Sequence, residues 1–191
     1  EARNATKNYI YELISLCSEL GGKQLIFGSP KNRALHGKDY NECVKQATDV
    51  FFQIAEFGKK EKTFFCIEPL GSNETEFIKS LDEGGKMVAQ ISHPNFKLHL
   101  DSKAIFSTKE DPAEIVKKYG KFLQHVHVGD QNLLEPGTIN KDHYKIGKAL
   151  RNINYSKYIS IEMRKSNEDV ERSLTRSISY VKKNYLDKKN V

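Results

Sequence analysis

Short runs of β-forming residues alternate along this chain with longer stretches of helical spacing. The runs at 24–28, 63–68, 96–101, 123–128 and 158–162 are rich in Val, Ile, Leu, Phe and Tyr. Between and around them, residues 5–20, 40–57, 74–91, 112–118, 143–152 and 169–185 place apolar side chains three and four apart. Asp111-Pro112 reads as a helix cap followed by a first-turn proline. Ser166 with Asp169 resembles a capping box with Asp in place of Glu. Strand, helix, strand in units of about thirty residues implies parallel strands joined by crossover helices.

Within the strands, side chains alternate between two faces. Phe65 and Ile67 share one parity, and the other ends in Glu68. Leu98 and Leu100 oppose Lys97, His99 and Asp101; Val126 and Val128 oppose His125 and His127; Ile159 and Ile161 oppose Ser160 and Glu162. Four strands thus pair one apolar face with one that turns polar towards the carboxyl end. A doubly wound sheet, covered by helices on both sides, calls for strands apolar on both faces. A (β/α)₈ barrel packs helices outside and opens its inner face at the carboxyl-end rim. The expected fold is therefore an α/β (β/α)₈ TIM barrel. Five strands and a leading helix fall short of eight, so about three βα units are expected to precede Glu1. The chain is read as a single partial barrel domain over 1–191, with no internal linker.

Each polar face ends in a group able to hold a metal: Glu68, Asp101, His127 and Glu162, separated by 33, 26 and 35 residues. Any one of them alone would more readily be a salt-bridge or capping group. Four in the same phase on successive strands predict one site at one rim. Three carboxylates and an imidazole suit one divalent ion, Mn²⁺, Mg²⁺, Co²⁺ or Zn²⁺.

The ordered motifs Ile67-Glu68-Pro69-Leu70, Leu100-Asp101-Ser102, His125-Val126-His127-Val128, Glu135-Pro136-Gly137 and Ile159-Ser160-Ile161-Glu162-Met163 resemble the xylose isomerase-like barrels. The likeness is to their sugar phosphate isomerase/epimerase branch, of D-tagatose 3-epimerase type, and it runs from about 25 to 164. The resemblance implies that Glu68, Asp101, His127 and Glu162 are the metal ligands. It also implies that Glu68 and Glu162 are the acid/base pair, one removing the proton beside a carbonyl to give an enediolate and the other returning it. The expected partner is a small carbohydrate. Two departures stand out: Ala104 lies where relatives often carry His, and Asn132, Leu133 and Leu134 lie where they carry a substrate-binding Arg. For an anionic sugar the candidate contacts are Arg33, Arg164 and Lys103; Lys31 is weaker. His99 and His125 lie one layer deeper, as hydrogen-bonded groups supporting the ligands, with His99 also a candidate substrate contact. His143, opening a helix, is either a cap residue or a group reaching the site. His36 and His93 are expected at the surface. Gly28-Ser29-Pro30 suits a pocket wall or a tight turn equally.

Composition adds bounds. The net charge is +6, with much of the excess in Lys182, Lys183, Lys188 and Lys189 at the chain end, which fits a solvated helix end. No basic stripe interleaved with aromatics marks a nucleic-acid track. No apolar stretch is long enough to span a bilayer. Cys17, Cys43 and Cys66 are isolated and odd in number, which points to a cytoplasmic setting, and leaves the Asn-x-Thr triplets at Asn4 and Asn73 without significance. A homo-oligomer is compatible with all of this. Alternatives on the same scaffold are an inosose-dehydratase-like lyase, an endonuclease IV-like metal phosphodiesterase, for which Ala104 removes a ligand, and a non-catalytic sugar-binding protein, which would not need both acids. An amidohydrolase would require more histidines after His125 and His127.

Overall fold

A computed structural model describes residues 2–165 and 169–186. Five strands form one parallel sheet in the order β1 (Gln24–Phe27), β2 (Phe64–Ile67), β3 (Phe96–Asp101), β4 (Leu123–Val128), β5 (Ile159–Ile161). Spatial order equals chain order, without the reversal that marks a doubly wound sheet. This is the arc of a (β/α)₈ barrel, as the strand parities require. Two ladders run one residue past the strand ends. The amide of Glu68 donates to Phe27 at 3.2 Å and that of Glu162 to Val128 at 3.0 Å, so both glutamates are held by the sheet.

The outward parity carries the core. Phe65, Ile67, Leu98, Leu100, Val126 and Val128 are fully buried. They pack beneath α2 (Tyr40–Lys60), α3 (Leu81–Ile91), α5 (Pro112–Tyr119) and α6 (His143–Asn152), preceded by α1 (Ala2–Glu19) and followed by α7 (Val170–Val181). Asp39, Ser80, Asp111 and Asp169 cap α2, α3, α5 and α7 by accepting first-turn amide hydrogens. The cap of α7 is thus Asp169; Ser166 lies outside the described residues.

Two elements differ from expectation. Residues 74–80 are a loop, not the first turns of α3. Phe77 and Ile78 are buried from that loop, so their apolar character mimicked helical periodicity, while Ser80 starts the helix by accepting from Glu83 at 3.1 Å. A short helix, α4 (Ser102–Thr108), follows β3 directly; two turns are too few for an apolar period to register. Glu110 then accepts from the amides of Leu81 and Asp82 at 3.0 and 2.9 Å, joining the end of α4 to the start of α3.

His36 is exposed, but His93 is not: it is buried and its Nε2 meets Glu56 at 2.5 Å. His143 is buried at the start of α6, where Nδ1 meets the Tyr185 hydroxyl at 2.8 Å and the ring lies edge-on to Phe106. It serves the packing of the chain's last turns against α6. Burial lowers its pKa to about 4. The folded state therefore keeps it neutral while the unfolded chain binds a proton below about 6.5, so stability falls as pH drops through that window. The expected loss is about 2 kcal/mol for this histidine at pH 5. Urea denaturation at pH 7 and pH 5 should show it, with a flatter pH dependence in His143→Gln.

Candidate metal centre

The carboxyl-end rim gathers the four predicted ligands. Asp101 and His127 are direct neighbours in the β3–β4 register, and Glu68 and Glu162 follow β2 and β5. One donor atom from each of Glu68, Asp101, His127 and Glu162 lies within 4.8 Å of all the others. His127 Nδ1 is 3.7 Å from Glu68 Oε1 and 3.7 Å from Glu162 Oε2, too long for hydrogen bonds. Asp101 Oδ2, His127 Nδ1 and Glu162 Oε2 are buried without a hydrogen-bond partner. Buried polar atoms are rarely left so. Their shared direction and hard-oxygen-plus-imidazole chemistry fit a divalent cation.

Charges set the protonation states. Burial pushes the Asp101 carboxyl up, the Lys103 ammonium opposes this, and Glu68 and Glu162 add to the rise, leaving it at about 7. Burial also acts upward on Glu68, but His127, His99 and Lys103 outweigh it and hold the group at about 2. His127 is lowered by burial and raised more by Glu68, Glu162 and Asp101, for a net rise. Burial, aided by the neighbouring acids, thus makes Asp101 the harder of the two to ionise, and the nearby cations make Glu68 the easier.

The backbone is shaped to allow the cluster. A Cβ on Gly28 would lie 1.8 Å from Glu68 Oε2, so only glycine at the end of β1 leaves room for that carboxylate. A Cβ on Gly129 would meet the Glu162 carbonyl oxygen at 2.3 Å. The Ser102 hydroxyl donates to the Gly129 carbonyl at 2.8 Å and accepts from its amide at 3.0 Å, locking the ends of β3 and β4 together. Ser102 and Gly129 carry no titratable group and no motif spacing that marks them as supports.

The other expected site residues fall into different places. Arg33 is buried, its Nη1 donating to the Glu68 carbonyl at 2.8 Å and its Nε to that of Ser29 at 3.3 Å; it braces the β1 and β2 ends. Arg164 is exposed, and its amide donates to Leu133 at 2.7 Å. Lys103 Nζ lies 3.1 Å from Asp101 Oδ2 and 3.1 Å from Glu162 Oε2. His99 is fully buried beneath the ligands, with Nε2 3.5 Å from Glu68 Oε1, and burial lowers its pKa to about 3. His125 Nδ1 meets Gln24 Nε2 at 2.9 Å. Glu135, from the Glu-Pro-Gly motif, accepts from Ser173 and Arg176 of α7, so that motif ties the loop after β4 to the last helix. A cavity of about 420 Å³ opens beside the cluster, walled by Gly28, Ser29, Asn32, Glu68, His127 and Glu162. That is within the size range of small-molecule sites.

Fold and rim together define a parallel α/β barrel with a polar carboxyl-end site. The chain belongs to the xylose isomerase-like TIM barrel family, which matches residues 1–184. Among curated proteins it is similar to the D-psicose 3-epimerase of Agrobacterium fabrum, 28% identical over 130 residues, covering 65% of this chain and 45% of that protein. The chain thus spans less than half the length of that relative. A crystal structure of D-psicose 3-epimerase with D-fructose superposes with a TM-score of 0.84 at 19% identity, over 95% of this chain and 71% of that one. A crystal structure of IolI protein with a binding zinc atom superposes with a TM-score of 0.78 at 17% identity, over 94% and 70%. Among the described residues no helix is long and apolar enough to cross a membrane.

The Gly28 contact is open to test. Gly28→Ala should displace the Glu68 carboxylate and weaken Mn²⁺ binding by about tenfold or more, a loss of the size expected when a group supporting a metal ligand is removed. Titration calorimetry measures it; an unchanged affinity would show that Glu68 does not depend on the bare backbone at Gly28.

Proposed function

We propose that this chain carries the metal-holding rim of a divalent-metal-dependent sugar, or sugar phosphate, isomerase or epimerase. The observation that supports it most is the convergence of one donor atom each from Glu68, Asp101, His127 and Glu162 within 4.8 Å of one another. The curated relative that shares 28% identity is named for epimerisation of a ketose, and a structure with the same fold is described with zinc. A bound divalent ion would polarise a substrate carbonyl and its neighbouring hydroxyl, acidifying the C–H between them.

The chain's own residues then divide the work. Glu68 and Glu162 form the acid/base pair: one accepts the proton from the carbon beside the carbonyl, and the charges around Glu68 keep it ionised while weakening it as a base. Glu162, with a side chain 40% exposed, faces Glu68 across the cluster, and the other of the pair returns a proton to the opposite side of the same carbon or to the adjacent one. Asp101 and His127 would hold the ion together with the two glutamates. His99 lies buried beneath Glu68, 3.5 Å from its carboxylate, and Arg33 fixes the backbone of Glu68. Lys103 and Arg164 are the candidates to meet an anionic group on the sugar.

The test is hydrogen exchange. Incubated with Mn²⁺ and a panel of ketoses in D₂O, the protein should incorporate deuterium next to the carbonyl, read by NMR. Glu68→Gln and Glu162→Gln should each lower that exchange about 10²- to 10⁴-fold, the usual contribution of one acid/base group. Loss of water from the substrate without exchange would replace this reading with a lyase.

A further inference from the structure

Among the described residues, Lys103 is the lysine whose ammonium reaches into the carboxylate cluster. It stands on the first turn of α4, its amide donating to Asp101 Oδ1 at 2.8 Å. Its side chain, 12% exposed, folds back so that Nζ lies 3.1 Å from an oxygen of Asp101 and 3.1 Å from one of Glu162. Those two oxygens, Asp101 Oδ2 and Glu162 Oε2, are among the atoms left without a hydrogen-bond partner. The ammonium is ion-paired with both carboxylates at once. Its four-carbon stem leaves it free to swing out; a guanidinium in the same place would lock on in a fork.

We propose that Lys103 is a tethered cation that occupies the seat between Asp101 and Glu162 when no divalent ion is bound, and that a metal must displace it to bind. This rests on the metal-centre reading above and goes beyond it: the centre is built with an internal competitor. The ammonium offsets the repulsion among Glu68, Asp101 and Glu162 in the metal-free protein. On metal binding it swings out to the cavity wall. Because only the displaced state accepts metal, apparent affinity is lowered by the fraction of molecules in that state.

Two measurements test this with Mn²⁺ as probe and no reliance on turnover. By titration calorimetry, Lys103→Gln should bind Mn²⁺ about tenfold tighter than the wild type, the gain expected if the bridged state dominates by that ratio. The same variant should show a lower melting temperature without metal and an unchanged one with it. In the wild-type protein, which needs no substitution, acetylation of Lys103 by an amine reagent followed by mass spectrometry should rise several-fold on adding Mn²⁺. Equal affinities in the two proteins would overturn the competition and leave the metal centre standing. Tighter binding with unchanged Lys103 labelling would show a lysine that only repels metal from a distance, and would also overturn it. No Mn²⁺ binding by either protein would remove the metal centre itself, and this inference with it.

Discussion

Three carboxylates meet one imidazole at the end of a parallel sheet, close enough that all four donor atoms fall within 4.8 Å. Mutual repulsion among those acids is the constraint around which the rest of the rim is arranged. Like charges at this spacing in a partly buried site cannot all ionise without compensation. Burial first and the neighbouring acids second push Asp101 up to about 7, while the histidines and Lys103 outweigh burial and hold Glu68 at about 2. Lys103 supplies one positive charge, ion-paired with Asp101 and Glu162, against the three carboxylates.

The scaffold spends its specific features on keeping this cluster together. Glu68 and Glu162 are one residue past their strands yet keep ladder hydrogen bonds to Phe27 and Val128. Gly28 and Gly129 are places where any side chain would strike a glutamate. Ser102 clamps the Gly129 peptide from both sides, and Arg33, although a charged residue, spends its donors on backbone carbonyls under the site. Burial of an arginine is costly unless its donors are met; Nη1 and Nε are met by those carbonyls, whereas Nη2 is buried without a hydrogen-bond partner.

The arc has two open edges, β1 and β5. Elements beside them expose apolar positions: Tyr9 and Leu16 on α1 with Leu20 in the turn after it, and Val170, Leu174 and Ile178 on α7. In a closed barrel such faces are covered and strand edges do not exist. The cavity beside the cluster is bounded on this side by α1 and β1, so the shape of a complete substrate pocket depends on what lies along these edges.

Much of this was legible in the chain before any coordinates. Strand parity is a local property, since alternate side chains must point to opposite faces. The split of Leu98 and Leu100 from His99 and Asp101 therefore reported the barrel, and the polar residue at the end of each strand reported the side chains that cluster at the rim. What local pattern could not report was contact between distant segments. Phe77 and Ile78 read as helix because their burial comes from a loop, and His93 read as surface because its partner Glu56 is 37 residues away. Ser102, Gly28 and Gly129 carry no periodic or titratable signal; their roles exist only because neighbouring strand ends approach within a few ångströms. The same is true of Lys103, whose sequence neighbours place it beside Asp101, whereas only the closure of β5 against β4 brings Glu162 to its other side. Sequence set which side chains face inward; tertiary structure decided which of them touch, because distance across the barrel is fixed by packing.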